Sequence, residues 1–166
     1  MAWTASGMFR QTFADIFDLT VTTLDMDAAS MFKIALYDNT ITPNYDVVAT
    51  ASAYAGGVWS ATGGQTGTPQ VYHTGQWAQA GVVLTGNDIT VPAAGVVMFD
   101  ANDTASGSAA TMSNIYGGLI YADGVTTPVA DQGLLAVYFG GTAYSVTNGT
   151  FTIQWNASGI WRLTVA

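Results

Sequence analysis

The passage from Ala143 to Val165 restricts the fold more than any other, because its side chains alternate with a period of two and each reversal carries turn residues. Ala143-Tyr-Ser-Val-Thr147 leads through Asn148-Gly149 into Thr150-Phe-Thr-Ile-Gln-Trp155, with Phe151, Ile153 and Trp155 on one side and Thr150, Thr152 and Gln154 on the other. Asn and Gly both tolerate positive φ, so a two-residue hairpin is expected here. A second turn, Asn156-Ala-Ser-Gly159, returns the chain as Ile160-Trp-Arg-Leu-Thr-Val165, and Trp161, Leu163 and Val165 are expected to share the core face.

Other strands follow the same logic. In Met31-Phe-Lys-Ile-Ala-Leu-Tyr-Asp38, Phe32, Ile34 and Leu36 alternate with Lys33, Ala35 and Tyr37. Asn39 to Asn44, with Pro43, turns the chain, and strands are expected at Tyr45–Ser52, Trp77–Leu84, Asn87–Val91 and Val96–Phe99. Met112–Tyr121 and Leu134–Phe139 are nearly continuous apolar runs, which suits the centre of a sheet covered on both sides. The Gly, Thr, Ser and Gln content of Ala55–Gly75 predicts an exposed loop. A helical period occurs at Ser6–Asp18, where Phe9, Phe13, Ile16 and Phe17 form one stripe and Ser6 is placed to cap the start. The expected architecture is mostly β. A short N-terminal helix or arm over residues 1–28 precedes a single antiparallel β-sandwich or barrel-like domain over 29–166.

A chain of 166 residues is one domain's worth of core. Only 8% of its residues are charged, against about 25% in ordinary soluble domains, and there is no glutamate. An exterior so poor in charge gains by burial against neighbours, so assembly is expected. The net charge of −8, with only Arg10, Lys33 and Arg162 as fixed cations, lacks the footprint of a nucleic-acid binder. No run reaches the roughly 18 to 20 apolar residues of a membrane helix. The first ten residues hold no basic stretch followed by an apolar one, so the expectation is a chain made in the cytoplasm or already processed. Cysteine is absent, which removes disulfides and thiolate chemistry.

Catalytic chemistry finds few footholds. His73 is the single histidine, and it lies beside a Gly-rich stretch without a nucleophile-elbow motif. Asp25 with Asp27, and Asp100 with Asp103, have the residue type of calcium ligands, but neither pair fits an EF-hand loop, and aspartate is an ordinary turn residue. No catalytic residue, cofactor or metal is expected, and the chain reads as a non-enzyme. The candidates for contact are aromatic. Phe9, Phe13 and Phe17 form the helical stripe, and Trp59, Tyr72 and Trp77 flank the Gly-Thr loop, where rings could stack on a sugar or a neighbouring subunit.

The stretches Phe32-Lys-Ile-Ala-Leu-Tyr-Asp-Asn-Thr-Ile-Thr-Pro43, Gly86-Asn-Asp-Ile-Thr-Val91 and Thr147-Asn-Gly-Thr-Phe-Thr-Ile-Gln-Trp-Asn-Ala-Ser-Gly-Ile160 resemble a family of tailed-bacteriophage minor capsid or capsid decoration proteins. With the apolar strands at Ile115–Tyr121 and Leu134–Phe139, the resemblance runs roughly from Met31 to Val165, and the N-terminal thirty residues match least. It implies a non-catalytic virion subunit, made in the host bacterial cytoplasm, that sits on the outer capsid surface. Its partners would be the major capsid protein and copies of itself in a trimer or similar cluster, with neither nucleic acid nor membrane involved. The acidity agrees with an outer position, since packaged phosphate repels an acidic lining. A phage tail or carbohydrate-binding host-recognition protein is the alternative.

Overall fold

Strands form where the sequence alternates or runs apolar, and the computed structural model describes residues 3–21 and 23–165. In chain order the elements are β1 (Gly7–Met8), α1 (Arg10–Phe17), β2 (Phe32–Tyr37), α2 (Ala49–Ser52), β3 (Gly63–Gly64), β4 (Gln70–Val71), β5 (Val82–Val83) and β6 (Asp88–Ala93). They continue with β7 (Val96–Asp100), β8 (Thr104–Ala105), β9 (Ala110–Ile115), β10 (Gly117–Ala122), β11 (Gly133–Tyr138), β12 (Tyr144–Gly149), β13 (Thr152–Ile153) and β14 (Trp161–Thr164). The chain is mostly β, with the character of a β-sandwich.

A seven-stranded sheet runs β1-β11-β10-β2-β4-β3, with β5 sharing the outer edge of β2 beside β4. All its pairings are antiparallel except β3 with β4. Strand β10 is buried at every position because both faces of this sheet are covered. On one face Phe32, Ile34, Leu36 and Ile120 meet Phe99, Met112, Ile115 and Ile153 from a second layer. That layer comprises the β14-β7-β6 sheet and the β12-β9 and β13-β8 ribbons. On the other face Ala35, Tyr37, Leu119, Tyr121 and Ala136 pack with Trp3, Phe9 and Trp59. Each fully buried large apolar side chain contributes about 1.5–3 kcal/mol.

Several expectations are corrected. The Asn148-Gly149 hairpin does not form: both residues lie in β12, which pairs with β9, while β13 pairs with β8. Asn148 has φ +47°, and its tolerance for that conformation serves a bulge in which Val146 to Gly149 spans only Met112 to Ala110 on β9. A reciprocal bulge on β9 contains Asn114 at φ +60°. The Met112–Tyr121 run is broken at Tyr116, so that β9 and β10 belong to different sheets. Tyr45–Ser52 yields no strand but the helical turn α2, favoured by Ala49 and Ala51 and closed by the Ser52 hydroxyl donating to Ala49 O at 2.9 Å. The Trp77–Leu84 strand shrinks to β5, because Trp77 closes a turn in which its N–H donates to His73 O. Ala55–Gly75 is only partly an exposed loop: it supplies β3 and β4 and buries Trp59, Gln70 and Val71. A mean composition hides one well-placed tryptophan. The Asn156–Gly159 turn does form, with Gly159 N–H donating to Asn156 O at 2.8 Å.

Burial also sets the phenols. Tyr37 donates its hydroxyl to Trp59 O at 3.0 Å, Tyr121 donates to Ala80 O, and desolvation raises both above the ordinary tyrosine range. The protonated phenol is thus favoured in the folded state. Its contribution is fully present below the unfolded value near pH 10 and is lost as pH rises beyond it. A spectrophotometric alkaline titration should therefore show Tyr37 and Tyr121 ionising together with unfolding. Ionisation of all eight tyrosines near the free value while circular dichroism stays native would refute this.

Candidate interaction surface

Helix α1 is seated by its polar side. Thr12 and Asp15 are its buried residues, whereas Phe13 and Ile16 are half-buried and Phe17 is exposed. The Thr12 hydroxyl donates to Gly133 O at 2.6 Å. Gln132 Nε2 donates to Asp15 Oδ2 at 2.7 Å and to Thr12 Oγ1 at 3.1 Å, while Gln11 Nε2 donates to Asp15 Oδ1 at 2.7 Å. The cap residue is Phe9, whose N–H donates to Leu134 O, and Ser6 instead accepts the Tyr138 N–H at 2.9 Å. With β1 paired to Ala136 and Leu135, the described N-terminal segment is seated on the chain's own β11.

This docking leaves Phe13, Ile16 and Phe17 as one wall of a groove, with Phe13 and Phe17 edge-on at 4.8 Å. The facing wall comes from the β14-β7-β6 sheet, where the register aligns Ile89, Phe99 and Trp161 across three strands and Val97 with Leu163. Trp161 stacks on Phe99 at 6.3 Å and Phe99 meets Phe32 at 5.4 Å, so the inner end of this face is anchored in the core. The outer end is not. The groove holds about 370 Å³ and is lined by apolar atoms alone, with Phe17 70% and Leu163 41% exposed. Leu19, Val91 and Val165 add exposed apolar surface. Trp161 and Leu163 do share a face as their alternation predicts, but the expected burial of Leu163 and Val165 is corrected: β14 ends the sheet, and these two residues stay exposed.

The six aromatic candidates divide cleanly. Phe13 and Phe17 line the groove. Phe9, Trp59 and Trp77 are fully buried, so their rings offer no face to a sugar or a neighbour. Trp59 sits edge-on to Trp3, Phe9 and Tyr37 at 5.7, 5.9 and 5.2 Å, and Trp77 meets Phe151 at 5.7 Å. Tyr72 is half-buried beside β3, donating its N–H to Gly64 O. A shallow second depression of about 210 Å³ lies among Phe139, Tyr144 and Phe151. Sequence reasoning missed the sheet wall of the groove, and the available signal was the alternation of Trp161, Leu163 and Val165 itself.

The polar residues serve as clamps. His73 Nδ1 accepts the Thr111 N–H at 2.8 Å, tying its turn to β9. Asp25 accepts the Asp27 N–H, Asp27 accepts the Ile89 N–H and Asp103 accepts the Trp155 N–H, each through Oδ1. Among the described residues no three His, Asp or Glu side chains converge as a metal site, and no helix is long and apolar enough to cross a membrane. Comparison with protein-family models, curated proteins and solved structures finds no match.

Proposed function

We propose that the chain is a non-enzymatic virion subunit, a minor capsid or decoration protein that docks on the outer face of a major capsid lattice and stabilises it. The observation that carries the reading is the apolar groove between α1 and β14, open on a chain in which only 8% of residues are charged. An open apolar groove with further exposed apolar side chains nearby in Leu19, Val91 and Val165 is suited to contact, and its burial is the free-energy source for binding. The resemblance of Met31 to Val165 to decoration proteins supplies the identity of the lattice, and the net charge of −8 favours the side away from packaged phosphate. Self-association into a trimer or similar cluster belongs to the same proposal.

Binding of the purified protein to capsid shells lacking it tests the reading. Phe17→Ser with Leu163→Ser should weaken docking by about 30- to 1000-fold, since two exposed apolar anchors at an interface are worth about 1–2 kcal/mol each. Their removal leaves folding nearly unchanged, because exposed side chains contribute little to the core. Undiminished docking by the double variant would exclude the groove as the docking surface, and failure of the intact protein to bind the shells, or its recovery on tails in electron micrographs, would end the capsid assignment. The tail or carbohydrate-binding alternative loses Trp59 and Trp77 as stacking platforms and is left with the half-buried Tyr72 and the Phe139, Tyr144 and Phe151 depression.

A further inference from the structure

The groove has an acidic rim. Asp18 follows Phe17, and Asp25 and Asp27 flank Met26, each next to a lining residue and each exposed, and Asp27 Oδ1 accepts the N–H of the lining Ile89 at 2.8 Å. Of the three cations in the chain, Lys33 is paired with Asp123 at 2.9 Å and Arg10 with Asp46 at 2.7 Å. Arg162 lies on β14 between Trp161 and Leu163, so strand alternation turns it to the opposite face of the sheet. The groove is therefore apolar at its centre and negative at its margin.

We infer that the groove receives an apolar segment flanked by lysine or arginine, contributed by a different protein. This rests on the assembly reading above and gives its partner a chemistry. A second copy of the chain is disfavoured as occupant, because it would bring two acidic rims together with almost no cations to offset them. An anionic lipid surface is disfavoured by the same charge. Burial of the apolar centre supplies affinity, and the rim carboxylates select basic flanks and speed the encounter.

The test is a titration of the intact protein with two synthetic peptides, one with a Leu/Phe core between lysines and one with the same core between aspartates. The lysine-flanked peptide should bind at least about tenfold more tightly at low salt, and the preference should shrink as salt screens the rim. Asp18→Asn, Asp25→Asn and Asp27→Asn together should remove the preference, since asparagine keeps the local Oδ1 bonds but not the charge. Phe17→Ser with Leu163→Ser should abolish binding of both. Equal binding of the two peptides, binding of neither, or a lysine-peptide affinity that survives the double Ser variant overturns the inference. Its failure separates from that of the virion reading. If capsid docking needs Phe17 and Leu163 but ignores salt and the three Asn substitutions, the basic partner falls and the docking role stands. If the peptides behave as stated while no shell is bound, the reverse holds.

Discussion

Replacing Trp59 with Ala is expected to lower folding stability by about 3–5 kcal/mol, the range for truncating a buried aromatic. The ring is fully buried at the centre of the second core and contacts Trp3, Phe9 and Tyr37, so its loss strips three aromatic partners at once. Its backbone is tied independently, through Trp59 N–H to Gly56 O at 2.8 Å and Ala55 N–H to Trp59 O at 3.0 Å. The segment therefore cannot easily collapse into the space, and a cavity should persist. Against a typical total of about 5–15 kcal/mol, this is a large share. Urea unfolding should show the midpoint falling with the slope unchanged, and Trp59→Phe should recover part of the loss. A change below about 1 kcal/mol would mean that the loop does not hold the ring in the core.

Gly133→Ala should also destabilise, by about 1–3 kcal/mol, although alanine for glycine in a strand ordinarily helps by up to about 1 kcal/mol. A Cβ at this position would stand 2.2 Å from Ser52 O and 3.0 Å from the Phe9 ring. The first contact is with backbone of α2, so relief requires α2 or β11 to move. Movement of β11 would in turn stretch the Thr12 bond to Gly133 O that seats α1. Gly64→Ala is the control, because beyond its chain neighbours nothing lies within 4 Å of its Cβ position and the change should be neutral or mildly stabilising. Thermal unfolding of the two variants compares them directly, and equal melting temperatures would contradict the close approach of α2 to β11.

Much of the main sheet was legible from residue order. The alternation of Phe32, Ile34 and Leu36 against Ala35 and Tyr37 sorts these side chains onto the two faces, where they meet separate cores. The unbroken apolar runs around Ile120 and Leu135 are the signature of a sheet covered on both sides. Pairing was less legible, because a strand's pattern states which face is apolar and not which edge it joins. Asn148-Gly149 has the chemistry of a tight turn and equally that of a bulge, and the choice fell to β9, which offers Thr111 Oγ1 to the Asn148 N–H at 3.0 Å.

The interaction surface divides the same way. Local order determined the mostly β character, the acidic and charge-poor exterior, and an aromatic stripe on the first helix, since each depends on residues near one another in sequence. Tertiary structure alone decided which apolar groups remain open. Thr12 and Asp15 seat α1 because Gln132 and the Gly133 carbonyl, more than a hundred residues away, present matching donors and acceptors there. That arrangement turns Phe13 and Phe17 outward toward Leu163, while the same long-range packing draws Phe9, Trp59 and Trp77 inside. Hydrophobicity is a property of the side chain, but exposure depends on whichever distant surface arrives to cover it.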